Sequence, residues 1–209
     1  MAGEVVACDS VAFGRLRSPP YRTVRLALAG GLEQQKTEKA VAAIHAKRLT
    51  LDTVMGKNLP PQPEQAVNDA TIEGIDANEN GIRDDVELAI FRNYPNSARI
   101  RAAQLQYAMA LQTELTKVFN TGTLIAAIQE EGRASLCIVA TAPKVDLSQG
   151  EEEAKRIFSI SDGRHNEVEK MVLNTEPRKV RRKEVLKYLS TYGDLSGENC
   201  DVTVSVLPN

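Results

Sequence analysis

The chain has 209 residues, a formal net charge of −2 and 42% hydrophobic residues, values typical of one globular domain, alone or with an added arm. The nearly balanced charge argues against a general nucleic-acid binder. No apolar run approaches the ~20 residues of a membrane-spanning helix. We therefore expect neither nucleic acid nor a membrane span, and a protein partner stays open.

Residues 1–36 are predicted to form a poorly organised, extended N-terminal arm. Residues 5–12 have the pattern of a short strand, and Ser18, Pro19 and Pro20 break the chain. A second apolar run, to Leu28, ends at Gly30 and Gly31 and is shorter than the ~7–15 apolar residues of a signal peptide. No signal peptide is therefore readable in this chain.

A helical domain is predicted over residues 37–195, followed by a C-terminal tail, residues 196–209. Thr37 is the expected N-cap of its first helix, and apolar residues recur at helical spacing further along. The later helices are predicted over residues 84–93, 98–119, 123–139, 151–173 and 176–192. The tail alternates weakly over residues 200–207, as a strand does. The expected fold class is mainly α, an irregular bundle of about four to six helices.

One stretch matches the spacing of an EF-hand calcium loop. Its predicted ligands, in the order of the loop, are Asp76, Asn78, Asn80, the carbonyl of Ile82, Asp84 and Glu87. Gly81 stands where the loop must turn sharply. Ca2+ is a hard cation that takes six to eight oxygen ligands, and this spacing can direct them to one point. The cofactor we expect is therefore Ca2+.

The same residues allow an interpretation without a metal. Asn80 and Gly81 are typical of a tight turn, and Asp84 and Asp85 suit the first turn of a helix. That interpretation leaves Asp76, Asn78 and Glu87 without a role.

The stretch from Asp76 to Glu87 resembles the calcium loops of thrombospondin type 3 repeats, dockerins and similar exported bacterial proteins. It departs from a calmodulin-like loop at Arg83, where an aliphatic residue is usual, and prolines precede it in place of a helix. A single loop with two neutral Asn ligands implies weak affinity, ~10⁻⁴ to 10⁻³ M. Such a site needs plentiful calcium, so we expect a periplasmic or secreted protein whose fold the ion stabilises.

A second surface is the basic stretch on the last predicted helix, made by Arg178, Lys179, Arg181, Arg182 and Lys183. It offers an alternative function, binding to an anionic surface or to nucleic acid. The simpler interpretation is a solvated helix face paired with nearby acids. Glu130 and Glu131 are likewise expected to lie on a solvated face.

The three cysteines, Cys8, Cys137 and Cys200, lack the spacing of a zinc site. Cys137 and Cys200 either pair and tie the tail to a core helix, or remain two buried thiols. No motif of a known catalytic class is present. We therefore name no catalytic residue and do not expect an enzyme.

Overall fold

The structure is a computed structural model that describes residues 20–144, 148, 150–193 and 197–209, with side chains from residue 31 onward. Within these ranges there are eight α-helices and no strand, which confirms the mainly α fold class. The helices are α1 Pro20–Ala46, α2 Leu51–Val54, α3 Gln65–Asn68, α4 Asp84–Asn93, α5 Ala98–Lys117, α6 Thr121–Thr141, α7 Glu151–Val172 and α8 Glu176–Val185. Two short 3-10 helices follow, Leu186–Tyr188 and Val204–Val206.

The chain divides into two compact units, Met1–Lys36 and Thr37–Asn209. The expected extended arm is wrong from Pro20 onward, because α1 begins there and not at Thr37. Proline is tolerated in a first helical turn, where its missing N–H has no partner to lose. A glycine inside a helix costs only about 1 kcal/mol, so the Gly30–Gly31 pair does not end it. The strand predicted over residues 5–12 lies outside the described residues.

Helix α5 is the centre of the second unit, and it contacts α4, α6, α7 and α8. Leu105, Leu111 and Leu115 are among its fully buried residues. The helix starts where the Ser97 hydroxyl accepts a hydrogen bond from the N–H of Ile100 at 3.1 Å, as an N-cap does. Its predicted extent, residues 98–119, agrees with the structure to within two residues.

The boundaries of α6 and α8 differ from the predicted ones. Asn120 is the N-cap of α6, and its side chain accepts from the N–H of Thr123 at 3.0 Å. Helix α6 therefore begins at Thr121, before the predicted start. Helix α8 ends at Val185 and continues as a 3-10 turn, which is shorter than the predicted 176–192.

The C-terminal tail packs against α5, and the strand predicted over residues 200–207 is wrong. The Gln106 side chain donates to the carbonyl of Asn199 at 2.8 Å and accepts from the N–H of Asp201 at 2.9 Å. The N–H of Arg99 donates to the carbonyl of Pro208 at 3.2 Å. These bonds satisfy tail backbone groups that a lone strand would leave unpaired.

Candidate functional site

The segment that matches the EF-hand pattern forms a compact turn directly before α4. The Asp76 carboxylate accepts hydrogen bonds from the backbone N–H groups of Asn80, at 3.0 Å, and Gly81, at 2.8 Å. Gly81 has a φ of +91°, which glycine adopts without steric cost. The N–H of Asp84 donates to the carbonyl of Ile75 at 2.8 Å. The start of the loop therefore lies beside the first turn of α4.

Glu87, at the last position of the loop, is buried and is bound by the two asparagines. Its Oε2 accepts from the amide nitrogen of Asn78 at 3.0 Å and from that of Asn80 at 2.9 Å. The oxygen of Asn80 accepts instead from the N–H of Ile82 at 2.8 Å. A cation at this point requires amide oxygens, which a rotation about the last side-chain bond exchanges with the nitrogens.

Asp84 carries a buried oxygen that has no partner. Its Oδ1 accepts from the N–H of Ala77 at 3.0 Å, whereas Oδ2 makes no hydrogen bond within the described chain. Burial raises the pKa of the Asp84 carboxyl, and the charges of Asp76 and Asp85 raise it further. Burial also raises the pKa of Glu87, with added repulsion from Asp84 and Asp76. A cation bound between these carboxylates would offset both costs.

The carboxylates of Asp76 and Glu87 do not meet at one point, because Asn80 lies between them and bonds to both. Asn80 contacts both Asp76 and Glu87 through its backbone N–H and its side chain. Within the ranges that the structure describes, no three histidine, cysteine, aspartate or glutamate side chains are arranged so that they could hold a metal ion. A calcium shell here needs the amide and carbonyl oxygens as well, including the carbonyl of buried Ile82.

Arg83 anchors the loop to the end of α7, a role that the sequence pattern does not indicate. Its side chain is completely buried. The guanidinium donates to the carbonyls of Met171, at 2.7 Å, and Val172, at 3.1 Å, and to Asn174 Oδ1 at 3.2 Å. It also pairs with Asp85. The last carbonyls of a helix lack hydrogen-bond donors within the helix. Arg83 provides donors for two of these carbonyls at the end of α7.

The predicted basic surface is not assembled, because Arg178 points into the protein. Its side chain is fully buried and donates to the carbonyls of Asn68, at 2.6 Å, and Thr71, at 3.0 Å. It forms an ion pair with Asp69 at 2.9 Å. Its Nη1 also donates to Asn174 Oδ1 at 2.6 Å. Arg178 therefore fixes the segment that precedes the loop.

Two more arginines of that stretch are used internally. Arg181 donates to the carbonyls of Leu115, at 3.0 Å, and Val118, at 2.6 Å, near the end of α5. Arg182 forms ion pairs with acids of other helices. Lys179 and Lys183 are exposed, and Lys179 pairs with a neighbouring glutamate. The five predicted cations thus do not form one surface.

Arg182 lies among three glutamates from three helices, a cluster that the sequence did not reveal. It approaches Glu114 at 3.4 Å, Glu131 at 2.9 Å and Glu169 at 3.2 Å. The Tyr107 hydroxyl donates to Glu131 and Glu169. Glu114 is 1% exposed, and neither of its carboxylate oxygens accepts a hydrogen bond within the described chain. Burial, together with the charge of Glu131, raises the pKa of Glu114 to about 7.

The expected solvated face at Glu130 and Glu131 is wrong. Glu130 is only 9% exposed, and its carboxylate contacts His45 at 2.8 Å, Arg48 at 3.2 Å and also Arg133. These partners lie far away in the chain or on the same helix, and they compensate the buried charge. Periodicity does not reveal that packing places cations opposite an acidic pair.

Cys137 and Cys200 form a disulfide, with their Cα atoms 5.0 Å apart. Of the two alternatives that the sequence left open, the structure has the bridged one. Cys137 is fully buried in α6, so the bond ties the C-terminal tail to a core helix. Cys8 lies outside the described residues.

Comparison of the chain with models of known protein families, with curated protein sequences and with solved structures finds no match. In the part of the chain that the structure describes, none of the helices combines the length and the apolar character needed to cross a membrane.

Proposed function

We propose that the chain binds one Ca2+ in the loop from Asp76 to Glu87 and that the ion stabilises the helical fold. The observation that carries the proposal is the buried, unpartnered Oδ2 of Asp84 beside two further carboxylates. A hard cation is the partner that such a group of oxygens favours. The spacing of the loop and its resemblance to calcium loops support the same ion.

The role we propose for the ion is structural. The loop leads into α4, and Arg83 joins it to the end of α7. Binding of Ca2+ therefore stabilises contacts between distant parts of the chain. A disulfide favours an oxidising compartment, and a weak calcium site favours a calcium-rich one. We accordingly propose a periplasmic or secreted protein.

Thermal unfolding in millimolar CaCl2 and in EGTA tests the proposal. For a dissociation constant of ~10⁻⁴ to 10⁻³ M, ~10 mM Ca2+ adds about 1.4 to 2.7 kcal/mol to the free energy of unfolding. In a protein of this size, that gain raises Tm by about 3 to 11 °C. Calorimetric titration of Ca2+ measures the same binding directly.

Glu87→Gln is the informative variant, because it removes one predicted ligand charge with little change of shape. Glu79→Gln is its matched control, because Glu79 is an exposed acid of the same loop at a position that supplies no ligand. We expect the calcium-dependent rise in Tm to be lost in Glu87→Gln and kept in Glu79→Gln. A wild-type Tm that is the same in CaCl2 and EGTA refutes the proposal.

The alternative function, binding of an anionic surface through the basic helix, has no comparable support. Three of its five cations, Arg178, Arg181 and Arg182, already bind internal carbonyls or carboxylates. Releasing them for an external anion would leave those buried groups unsatisfied.

A further inference from the structure

A cavity of about 620 Å³ lies beside the calcium loop, within the second unit of the chain. Its volume is in the range of about 300–1,000 Å³ that is usual for small-molecule sites. One wall comes from the end of α1 and another from α5 and Phe119, while the loop and its leading segment form a third. The apolar part of the lining includes Ala40, Ala43, Ile44 and Phe119.

A buried polar group in this lining lacks a partner. Gln112, on α5, is 8% exposed, and its Nε2 donates to the carbonyl of Glu73 at 2.7 Å. That bond fixes which end of the amide is free. Its Oε1 accepts no hydrogen bond within the described part of the chain. This oxygen is itself buried from solvent, so Gln112 is a fixed polar residue of the wall and not an acceptor for a molecule in the cavity.

Two ammonium groups of the lining remain available for an anion. Lys117, at the end of α5, is exposed and forms no ion pair with any described residue. Lys47 donates to the carbonyl of Glu79 at 3.1 Å, a neutral partner. The carboxylate of Asp76, also in the lining, is already bound by backbone N–H groups of its own loop. Glu73 and Glu79 are exposed.

We propose that this cavity binds a small apolar molecule that carries one anionic group. The apolar body fills the space between α1 and α5. The anionic group pairs with Lys117, and Lys47 adds positive charge to the same lining. The proposal goes beyond the calcium site and does not depend on it, although the two sites share Asp76 and Gly81 as wall residues.

The test is a titration of the full chain with 8-anilinonaphthalene-1-sulfonate, which has an aromatic body and a sulfonate. We expect saturable binding at one site, measured by fluorescence and by equilibrium dialysis. Ala43→Phe places a ring in the cavity from an exposed position of α1, and we expect it to weaken binding at least tenfold. Ala42→Phe is the matched control, because Ala42 is exposed on the same helix outside the lining.

A second variant tests the charge. Loss of one solvent-exposed ion pair is worth up to about 1 kcal/mol, so Lys117→Gln should weaken binding about two- to fivefold. An apolar amine, dansylcadaverine, should bind more weakly than the sulfonate. If the amine binds more tightly than the sulfonate, the ligand is not anionic and that part of the proposal is overturned. If Ala43→Phe and wild type bind the dye equally well, the dye does not bind in this cavity and the proposed location is overturned.

Titrations are run in EDTA and again in CaCl2. Saturable binding in either condition supports the proposal, and its absence in both overturns it. A failed calcium site therefore remains distinguishable from a failed ligand site, because the first is measured by Tm and the second by dye binding.

Discussion

Replacing Glu114 by glutamine should stabilise the protein at alkaline pH. The carboxyl group is buried, accepts no hydrogen bond within the described chain and lies 3.4 Å from Arg182. Burial is the main reason that its pKa is raised, and Glu131 and Glu169 add repulsion that Arg182 partly offsets. Glutamine keeps the shape of the protonated acid and never ionises. The variant thus isolates the cost of charging this one group.

The size of the effect follows from the pKa. Folding raises the pKa of Glu114 from 4.5 to about 7, and one pKa unit corresponds to about 1.36 kcal/mol. The folded protein binds this proton more tightly than the unfolded chain, so the stabilising contribution is complete below about pH 4.5 and is lost as the pH rises through about 7. The cost of ionisation therefore reaches about 3 kcal/mol above about pH 8.

Urea unfolding of wild type and Glu114→Gln over a series of pH values measures this cost as a difference in the free energy of unfolding. We expect the difference to be small near pH 5 and to grow to about 3 kcal/mol in favour of the variant by about pH 8. Glu184→Gln, a change at an exposed position of α8, is the control and should show no such growth. A difference that does not change with pH refutes the reasoning.

Two further predictions concern bonds that join distant parts of the chain. Reduction of the disulfide Cys137–Cys200, or Cys200→Ser, should lower the free energy of unfolding by about 4 kcal/mol, because the bond closes a loop with a sequence separation of 63. Unchanged urea unfolding after reduction confirmed by mass spectrometry would contradict this. Arg178→Met should cost about 3–5 kcal/mol, because it leaves an acid and buried carbonyls without their partner. Lys179→Met, at an exposed neighbour, should change stability by less than about 0.5 kcal/mol, and equal losses in the two variants would be inconsistent with a structural role for Arg178.

The parts of the fold that the sequence predicts well are those with local signals. Helix α4 has the predicted bounds, and the N-cap at Ser97 places the start of α5. The start of α1 was missed, because proline and a glycine pair disfavour a helix by only a few kcal/mol in total. Propensity is only a weak guide to where a helix begins.

Some features of the candidate site can likewise be predicted from the sequence, and others cannot. The order of the loop residues is a matter of spacing along the chain, and spacing is visible in a sequence. The inward direction of Arg178 depends on carbonyls about 110 residues away, which no local pattern encodes. The cluster around Glu114 likewise joins residues of four helices. The run of basic residues on α8 therefore predicted a charged surface, whereas packing turns Arg178, Arg181 and Arg182 towards carbonyls and carboxylates inside the protein.

Asn174, at the corner between α7 and α8, connects two arginines that the sequence keeps far apart. Its Oδ1 accepts from Arg83 at 3.2 Å and from Arg178 at 2.6 Å. Arg83 belongs to the loop, whereas Arg178 fixes the segment that leads into it. Local opening of the corner would break both attachments together, so the corner, the lead segment and the loop should behave as one cooperative unit in hydrogen exchange. An ion bound in the loop would then slow amide exchange at a corner it does not touch.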